Sequence, residues 1–363
     1  MKILFVLPRM GGGGAERVVS LLSNSLSDAN DVTVFTMVGG ESFYPLCEGV
    51  KYESIGVSVN RKNPLTAFIS KAFFFPKALI AINRKIKKGN YDVVISMLKE
   101  ADILVGACKL FGARFKHVCS ERNDPTKRGT LKLAILNAVY KRADMFVCQG
   151  QMVCDFYKKV PNDIKVVIPN PVNGEKLPER VIAPTKRVVA VGRLDKQKNF
   201  VMLINSFLTV HAKFPEYKLD IYGEGPEREH LQGLIDEGGA ESYITLCGAK
   251  KNVQELIADA ELFVMSSDYE GFPNALLEAM AIGLPVISTD FPTGIAHELI
   301  SAENGITVPV NDEGAMTDAI VRLLADENAR LEMGEANKKK CESYYIPSII
   351  EKWKRSIANI VNK

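Results

Sequence analysis

Arg193 and Lys198 lie in the segment Gly192-Arg193-Leu194-Asp195-Lys196-Gln197-Lys198-Asn199, directly after the strand-like run 187–191. Two fixed cations beside the start of a helix can neutralise a diphosphate, on which charge builds when it departs as a leaving group. Taken alone, the same residues make a solvated basic turn. A second segment, Glu270-Gly271-Phe272-Pro273-Asn274-Ala275-Leu276-Leu277-Glu278, follows the apolar run 262–265. Gly271 and Pro273 mark a turn, and Asn274 opens a run of good helix formers. The backbone N–H groups of Asn274, Ala275 and Leu276 can then be offered to a phosphate. Glu270 stands before that helix and Glu278 about one turn inside it, so one carboxylate can reach a sugar while the other holds a ribose diol. In isolation, two such glutamates are ordinary solvated helix residues.

A third segment, Gly11-Gly12-Gly13-Gly14-Ala15-Glu16, separates an apolar run from an amphipathic stretch. Gly12, Gly13 and Gly14 let the backbone approach a ligand, and the helix start presents free N–H groups to an anion. The segment is not a dinucleotide fingerprint, because Glu16 stands where the last glycine would be. Nor is it a P-loop, since no Gly-Lys-Ser/Thr follows. A tight turn with no ligand explains it equally well. His211, His230 and His297 are separated from one another and read as packing or surface residues. The 7 cysteines include no Cys-x-x-Cys pair, and no Asp-x-Asp occurs. No metal or other cofactor is expected; the cationic side chains and a helix N-terminus are left to neutralise the diphosphate.

The elements that must position these residues follow from the apolar pattern. Runs at 3–7, 32–35, 92–96, 117–119 and 145–147 are separated by helix-length segments, and the plan repeats at 187–191, 219–222, 244–246, 262–265 and 285–288. Short continuous apolar strands spaced by helices imply an α/β fold with parallel sheets covered on both faces. Pro169, Pro171, Pro178 and Pro184 give the stretch between the two halves a linker composition. The expected domains are residues 1–172 and 187–346, with a basic amphipathic helix at 347–363 crossing back to brace the first.

The chain has 47% hydrophobic and 25% charged residues, so each half can bury a core. Its start lacks a cleavage pattern, and no apolar run reaches the ~18 residues of a membrane span. A cytoplasmic protein is expected. Charge is divided unevenly: residues 1–174 hold 25 Lys and Arg against 14 Asp and Glu, the remainder 21 against 29. Between Ser54 and Tyr91 there is no acidic residue, while Arg61, Lys62, Lys71, Lys77, Arg84, Lys85, Lys87 and Lys88 accompany Phe68, Phe73, Phe74 and Phe75. Residues 61–88 therefore read as one or two amphipathic helices docking on an anionic membrane, peripheral on its inner face. The plainer alternative is a helix packed on the first domain with solvated lysines. Nucleic acid is not expected, since no binding motif for it is present.

Several of these segments together resemble family 4 of the retaining glycosyltransferases, which have the GT-B fold. The resemblance rests on Arg193 and Lys198 after Gly192 and on the Glu270-x7-Glu278 spacing. It extends to Gly13-Gly14-Ala15-Glu16-Arg17, Gly223-Glu224-Gly225-Pro226 and Gly283-Leu284-Pro285-Val286. It implies two Rossmann-like domains with parallel sheets facing across a cleft. A nucleotide diphosphate sugar, with uridine as the expected base, would bind in the second domain and an acceptor in the first. By the same resemblance Arg193 and Lys198 bind the diphosphate, Glu270 contacts the transferred sugar and Glu278 the ribose. Asn274, Ala275, Leu276, Gly223, Gly225, Gly271 and Phe272 complete the donor site, and Gly12, Gly13, Gly14, Glu121 and Arg122 form the acceptor side.

One departure stands out. Many family members carry a histidine in the loop after the strand at 117–119, whereas here Ser120-Glu121-Arg122-Asn123-Asp124 places Arg122 there. A similar segment occurs in a subgroup resembling capsule and lipid-linked oligosaccharide transferases. Arg122 cannot act as a base near neutral pH; a sugar hydroxyl or an acceptor phosphate is its expected partner. The expected activity is transfer of a hexose or N-acetylhexosamine to a lipid-linked saccharide with retention of configuration. The leaving phosphate oxygen would take the acceptor's proton. A sugar-nucleotide epimerase and a non-catalytic nucleotide-binding membrane scaffold are the rival expectations.

Overall fold

The computed structural model describes residues 1–56 and 64–362, with side chains described from 74 onward in the helix that begins at Pro64. It divides into two units, Met1–Pro171 with Ile346–Lys363, and Val172–Tyr345. In the first, the strands are β1 (Lys2–Leu7), β2 (Asp31–Thr36), β3 (Val50–Ser54), β4 (Val93–Met97), β5 (Lys116–Ser120), β6 (Met145–Cys148) and β7 (Lys165–Val167). They lie in the order β3-β2-β1-β4-β5-β6-β7, every neighbouring pair parallel. The second unit holds β8 (Arg187–Val191), β9 (Lys218–Tyr222), β10 (Ile244–Gly248), β11 (Leu262–Met265), β12 (Val286–Thr289) and β13 (Gly305–Val308). Their order is β10-β9-β8-β11-β12-β13, again parallel. Each sheet grows outward on one side of its first strand and then on the other. The order therefore reverses between β1 and β4, and between β8 and β11, and open α/β sheets bind ligands beyond the strand ends at such switch points.

The continuous apolar runs are explained by burial on two faces. Along β1, Ile3, Phe5 and Leu7 pack with Val18, Val19 and Leu22 of helix Gly14–Ser27 and with Trp353 and Ile357 of the C-terminal helix Ile346–Val361. Leu4 and Val6 point the other way, toward Ala78, Ile82 and Ile86 of helix Pro64–Gly89 and Leu104 of helix Lys99–Leu110. The second sheet repeats this, with Val188 and Ala190 facing helix Phe200–Lys213 and Val189 facing helix Asn274–Ile282.

Three strands lack the apolar signature. β3 (Lys-Tyr-Glu after Val50), β7 and β13 are sheet edges with partly exposed residues, so selection for a two-sided apolar run is absent. The proline-rich stretch after Pro171 is not a free linker. Val181 N–H donates to Ala258 O (3.0 Å), Arg180 to Gly283 O (2.7 Å) and Thr185 Oγ1 to Asp259 O (2.8 Å), which seats it on the second unit. The basic stretch is one helix, Pro64–Gly89, running through Pro76. Phe74 is buried in the core, while Phe75, Lys77 and Ile80 are exposed. Arg61 and Lys62, and the side chains of Phe68, Lys71 and Phe73, lie outside the described residues.

Candidate active site

The two segments singled out in the second unit follow adjacent strands at the switch point, β8 and β11. After β8, Asp195 caps the short turn Lys196–Lys198, and Asn199 adopts a left-handed conformation (φ 46°) that lets its side chain cap helix Phe200–Lys213. Ser266 Oγ, just past β11, donates to Lys198 O (2.8 Å), and Asp268 N–H donates to Gln197 O (2.9 Å). Asn199 Nδ2 reaches Asp268 Oδ1 (2.8 Å). The two loops are thus stitched together, and their charged side chains meet. Lys198 Nζ donates to Glu270 Oε1 at 2.5 Å; Ser267 Oγ donates to the same oxygen (2.8 Å) and Gln197 Nε2 to Oε2 (3.3 Å). Glu270 is only 6% exposed. Arg193 differs. Its side chain is 69% exposed and pairs with Asp195.

Helix Asn274–Ile282 starts next to Glu270 in sequence, behind Phe272 and Pro273, and Gly283 ends it in a left-handed conformation (φ 96°). The N–H of Asn274 is bonded to Phe272 O (3.0 Å). This narrows the amides available to an anion, among those expected, to Ala275 and Leu276. Glu278 is buried and accepts from Gln254 Nε2 at 2.5 Å. Gly223 and Gly225 serve the backbone. A Cβ on Gly223 would lie 1.8 Å from Gly192 O, and one on Gly225 2.2 Å from Leu194 O. Leu194 N–H also donates to Glu224 O (3.0 Å), so the glycines let the loop after β9 press against the loop that carries Arg193 and Lys198. Gln197, Ser267 and Gln254, which hold the two glutamates, escape a sequence reading. Gln197 and Ser267 at least lie in the segments that follow strands at the switch point; Gln254 comes from the separate helix Val253–Ile257 and carries no local signal.

In the first unit Gly13 is the N-cap of helix Gly14–Ser27, and a Cβ there would lie 2.4 Å from Glu16 Oε2. Gly12 O accepts from Tyr44 Oη (3.1 Å). Glu121, only 2% exposed, is a structural hub. Its Oε1 accepts from the N–H groups of Arg122 (3.0 Å) and Asn123 (3.1 Å) and from Arg128, and its Oε2 from Tyr157 Oη (2.5 Å). A carboxylate so occupied shapes the loop rather than offering itself to an acceptor. Arg122 is buried too, with Nη1 donating to Asn170 Oδ1 (2.6 Å). His117 on β5, whose Nε2 meets Ser96 Oγ (2.9 Å), is held to a pKa of about 3 mainly by burial, with Lys109 adding repulsion, and is a neutral core residue. Among the described residues, no three His, Cys, Asp or Glu side chains gather as metal ligands would.

Comparison with known proteins bears on the whole arrangement. Residues 12–176 match the family described as Glycosyltransferase Family 4, and residues 175–340 that described as Glycosyl transferases group 1. The chain is 27% identical over 365 residues, 100% of its own length and 99% of the relative's, to the GalNAc-alpha-(1->4)-GalNAc-alpha-(1->3)-diNAcBac-PP-undecaprenol alpha-1,4-N-acetyl-D-galactosaminyltransferase of Campylobacter jejuni. It is 28% identical to the amylovoran biosynthesis glycosyltransferase AmsD of Erwinia amylovora, covering 94% of this chain and 95% of that one. Among solved structures, Anabaena HepE in complex with UDP and glucose superposes with a TM-score of 0.79 at 17% identity, over 99% of this chain and 100% of that one. Sucrose-phosphate synthase from Thermosynechococcus elongatus does so with 0.82 at 19%, over 99% of each chain. These structural likenesses concern the fold. Two adjoining family matches, relatives aligned end to end and two Rossmann-like parallel sheets lead to one conclusion: the chain belongs to the family 4, group 1 glycosyltransferases and is a glycosyltransferase of the GT-B fold.

Proposed function

We propose that this enzyme moves a hexose or N-acetylhexosamine from a uridine diphosphate sugar to a lipid-linked saccharide, with retention at the anomeric carbon, in the assembly of a surface polysaccharide or glycan. The observation that carries the donor half is the Lys198–Glu270 pair at the β8/β11 switch point. A diphosphate arriving there competes with Glu270 for the ammonium of Lys198, and its second phosphate meets the exposed guanidinium of Arg193. Charge that develops on the leaving diphosphate is then met by cations and by the amides of Ala275 and Leu276. Glu270 faces the sugar and Glu278 the ribose. Metal is not required on this reading. The leaving phosphate oxygen accepts the acceptor's proton, which dispenses with a separate base. The relative named for an undecaprenol-linked diphosphate acceptor supports the lipid-linked half, and the UDP complex of HepE supports the base.

An epimerase would need an acid and a base flanking the sugar, and Glu270 is already bound to a cation, which favours transfer. The deciding experiment incubates the purified enzyme, in chelator, with a panel of UDP-sugars and a prenyl-diphosphate-linked saccharide. The product's anomeric configuration is then read by NMR. An α-linked product from an α-linked donor is expected. An inverted product, a requirement for added divalent metal, or donor interconversion without acceptor would each overturn part of the proposal. Membrane association of the exposed basic face of helix Pro64–Gly89 belongs to the same reading; among the described residues no helix is long and apolar enough to cross a membrane.

A further inference from the structure

Arg122, Gln149 and Asn170 follow three successive parallel strands, β5, β6 and β7, at their C-terminal ends. Arg122 is 7% exposed, and its partner is neutral: Nη1 donates to Asn170 Oδ1, which also accepts from Gln149 Nε2 (2.6 Å). Nε and Nη2 of Arg122 are buried with no acceptor among the described residues, as is Ser120 Oγ two residues before. These two nitrogens form the side-on edge of the guanidinium, the edge that grips two oxygens of a carboxylate or phosphate at once.

Glu121 and Asp102 attract the guanidinium electrostatically, but neither is hydrogen-bonded to it. Glu121 is committed to Arg128 and two tyrosines. Asp102, fully buried, already accepts from Ser96 Oγ (2.6 Å) and Tyr140 Oη (3.1 Å), and burial raises its pKa above the ordinary carboxylate range. Burial lowers Arg122 itself only to about 10, so it remains charged. A desolvated cation with its bidentate edge empty is costly unless an anion completes it.

We propose that Arg122 is a phosphoryl-binding residue, its Nε–Nη2 edge gripping two oxygens of one phosphate while Asn170 and Gln149 hold the guanidinium in place. The site deepens the proposed function and rests on it for the source of the phosphate, which is either the diphosphate of the lipid acceptor or that of the donor.

Titration calorimetry with farnesyl diphosphate and with UDP, on the wild type, Arg122→Met and Lys198→Ala, separates these. At least about tenfold weaker farnesyl diphosphate binding in Arg122→Met, with UDP unchanged, assigns the acceptor phosphate. Weaker UDP binding instead assigns the donor's. Undiminished UDP affinity in Lys198→Ala would count against the donor clamp without touching Arg122. Asn170→Asp supplies the missing counter-charge internally, so it should raise Tm and weaken the same diphosphate; it keeps the idea testable if Arg122→Met does not fold. Wild-type affinity for both diphosphates in a folded Arg122→Met overturns the proposal. So does an Asn170→Asp variant with neither gain in Tm nor loss of affinity, or a wild type that binds neither probe.

Discussion

Lys198 and Arg193 carry the same formal charge, yet their surroundings predict different phenotypes. Lys198 is held against a buried carboxylate and Arg193 is largely exposed. Either change to Ala should lower kcat by about a hundredfold or more, the cost of losing a donor aimed at developing charge. Lys198→Ala should also destabilise the ligand-free protein by about 1–3 kcal/mol, because Glu270 loses its cation while keeping Ser267 and Gln197. Arg193→Ala should leave Tm within about a degree or two. Steady-state kinetics beside thermal melts test both, and an equal loss of Tm in the two variants would contradict the geometry. His117 makes a separate residue-scale case. Its folded pKa, about 3, lies below the ordinary 6.5, so the stability it contributes is complete above pH 6.5 and is lost as pH falls toward 3. Asp102, raised by burial, acts oppositely, losing its contribution as pH rises. The measurement is therefore the difference in unfolding free energy between wild type and His117→Gln. The wild type's advantage should shrink by about a few kcal/mol between pH 7 and pH 4. A constant difference would mean that His117 ionises freely in the folded state.

At the scale of elements, the site depends on how closely loops after neighbouring strands can approach. Gly223 illustrates this, since any Cβ there would collide with Gly192 O in the loop that carries Lys198. Gly223→Ala should cost about 1–3 kcal/mol as overpacking and should raise KM for the donor by displacing that loop. Gly233, inside helix Arg228–Glu237, has open space where a Cβ would go. Gly233→Ala should instead stabilise by about 0.5–1 kcal/mol with kinetics unchanged. Chemical denaturation of the two variants, with donor KM, distinguishes close packing from a general preference for flexibility. If both behaved alike, the loop contact would have no energetic weight.

For the molecule as a whole, the uneven charge acquires a shape only in the structure. Helix Pro64–Gly89 buries Phe74, Ala78, Ile82 and Ile86 against the first sheet and turns Phe75, Lys77, Ile80, Arg84 and Lys88 outward. Lys85 is bonded to Glu53 at 2.6 Å and Lys87 to Phe111 O at 2.9 Å, so neither is a clean probe. Changing Lys77, Arg84 and Lys88 to Glu should abolish most co-sedimentation with anionic vesicles, each cation near the surface contributing about 1 kcal/mol. Wild-type binding should weaken as salt shortens the Debye length to about 8 Å. Equal recovery with neutral vesicles, or no loss in the triple variant, would make this face an ordinary solvated one and open the possibility of a soluble acceptor.

What the amino-acid order determined by itself was the part of the fold buried twice over. Runs such as 3–7, 188–191 and 262–265 are apolar at every position because helices cover both faces of the sheet, so parallel α/β architecture is legible locally. Loops that follow such runs and carry glycine with charge were legible for the same reason, which is how Arg193, Lys198, Glu270 and Glu278 could be singled out. The edge strands β3, β7 and β13 were not, because partly exposed edges need no apolar run. Nor was the use of each charged group. Lys198 and Glu270 are 72 positions apart and meet because β8 lies beside β11, an adjacency that no local pattern encodes. Glu121 and Arg122 are neighbours in sequence, yet tertiary contacts occupy one completely and leave the bidentate edge of the other empty. Chain order sets which charges stand at strand ends; packing across the sheet decides which of them are already neutralised and which still need a ligand.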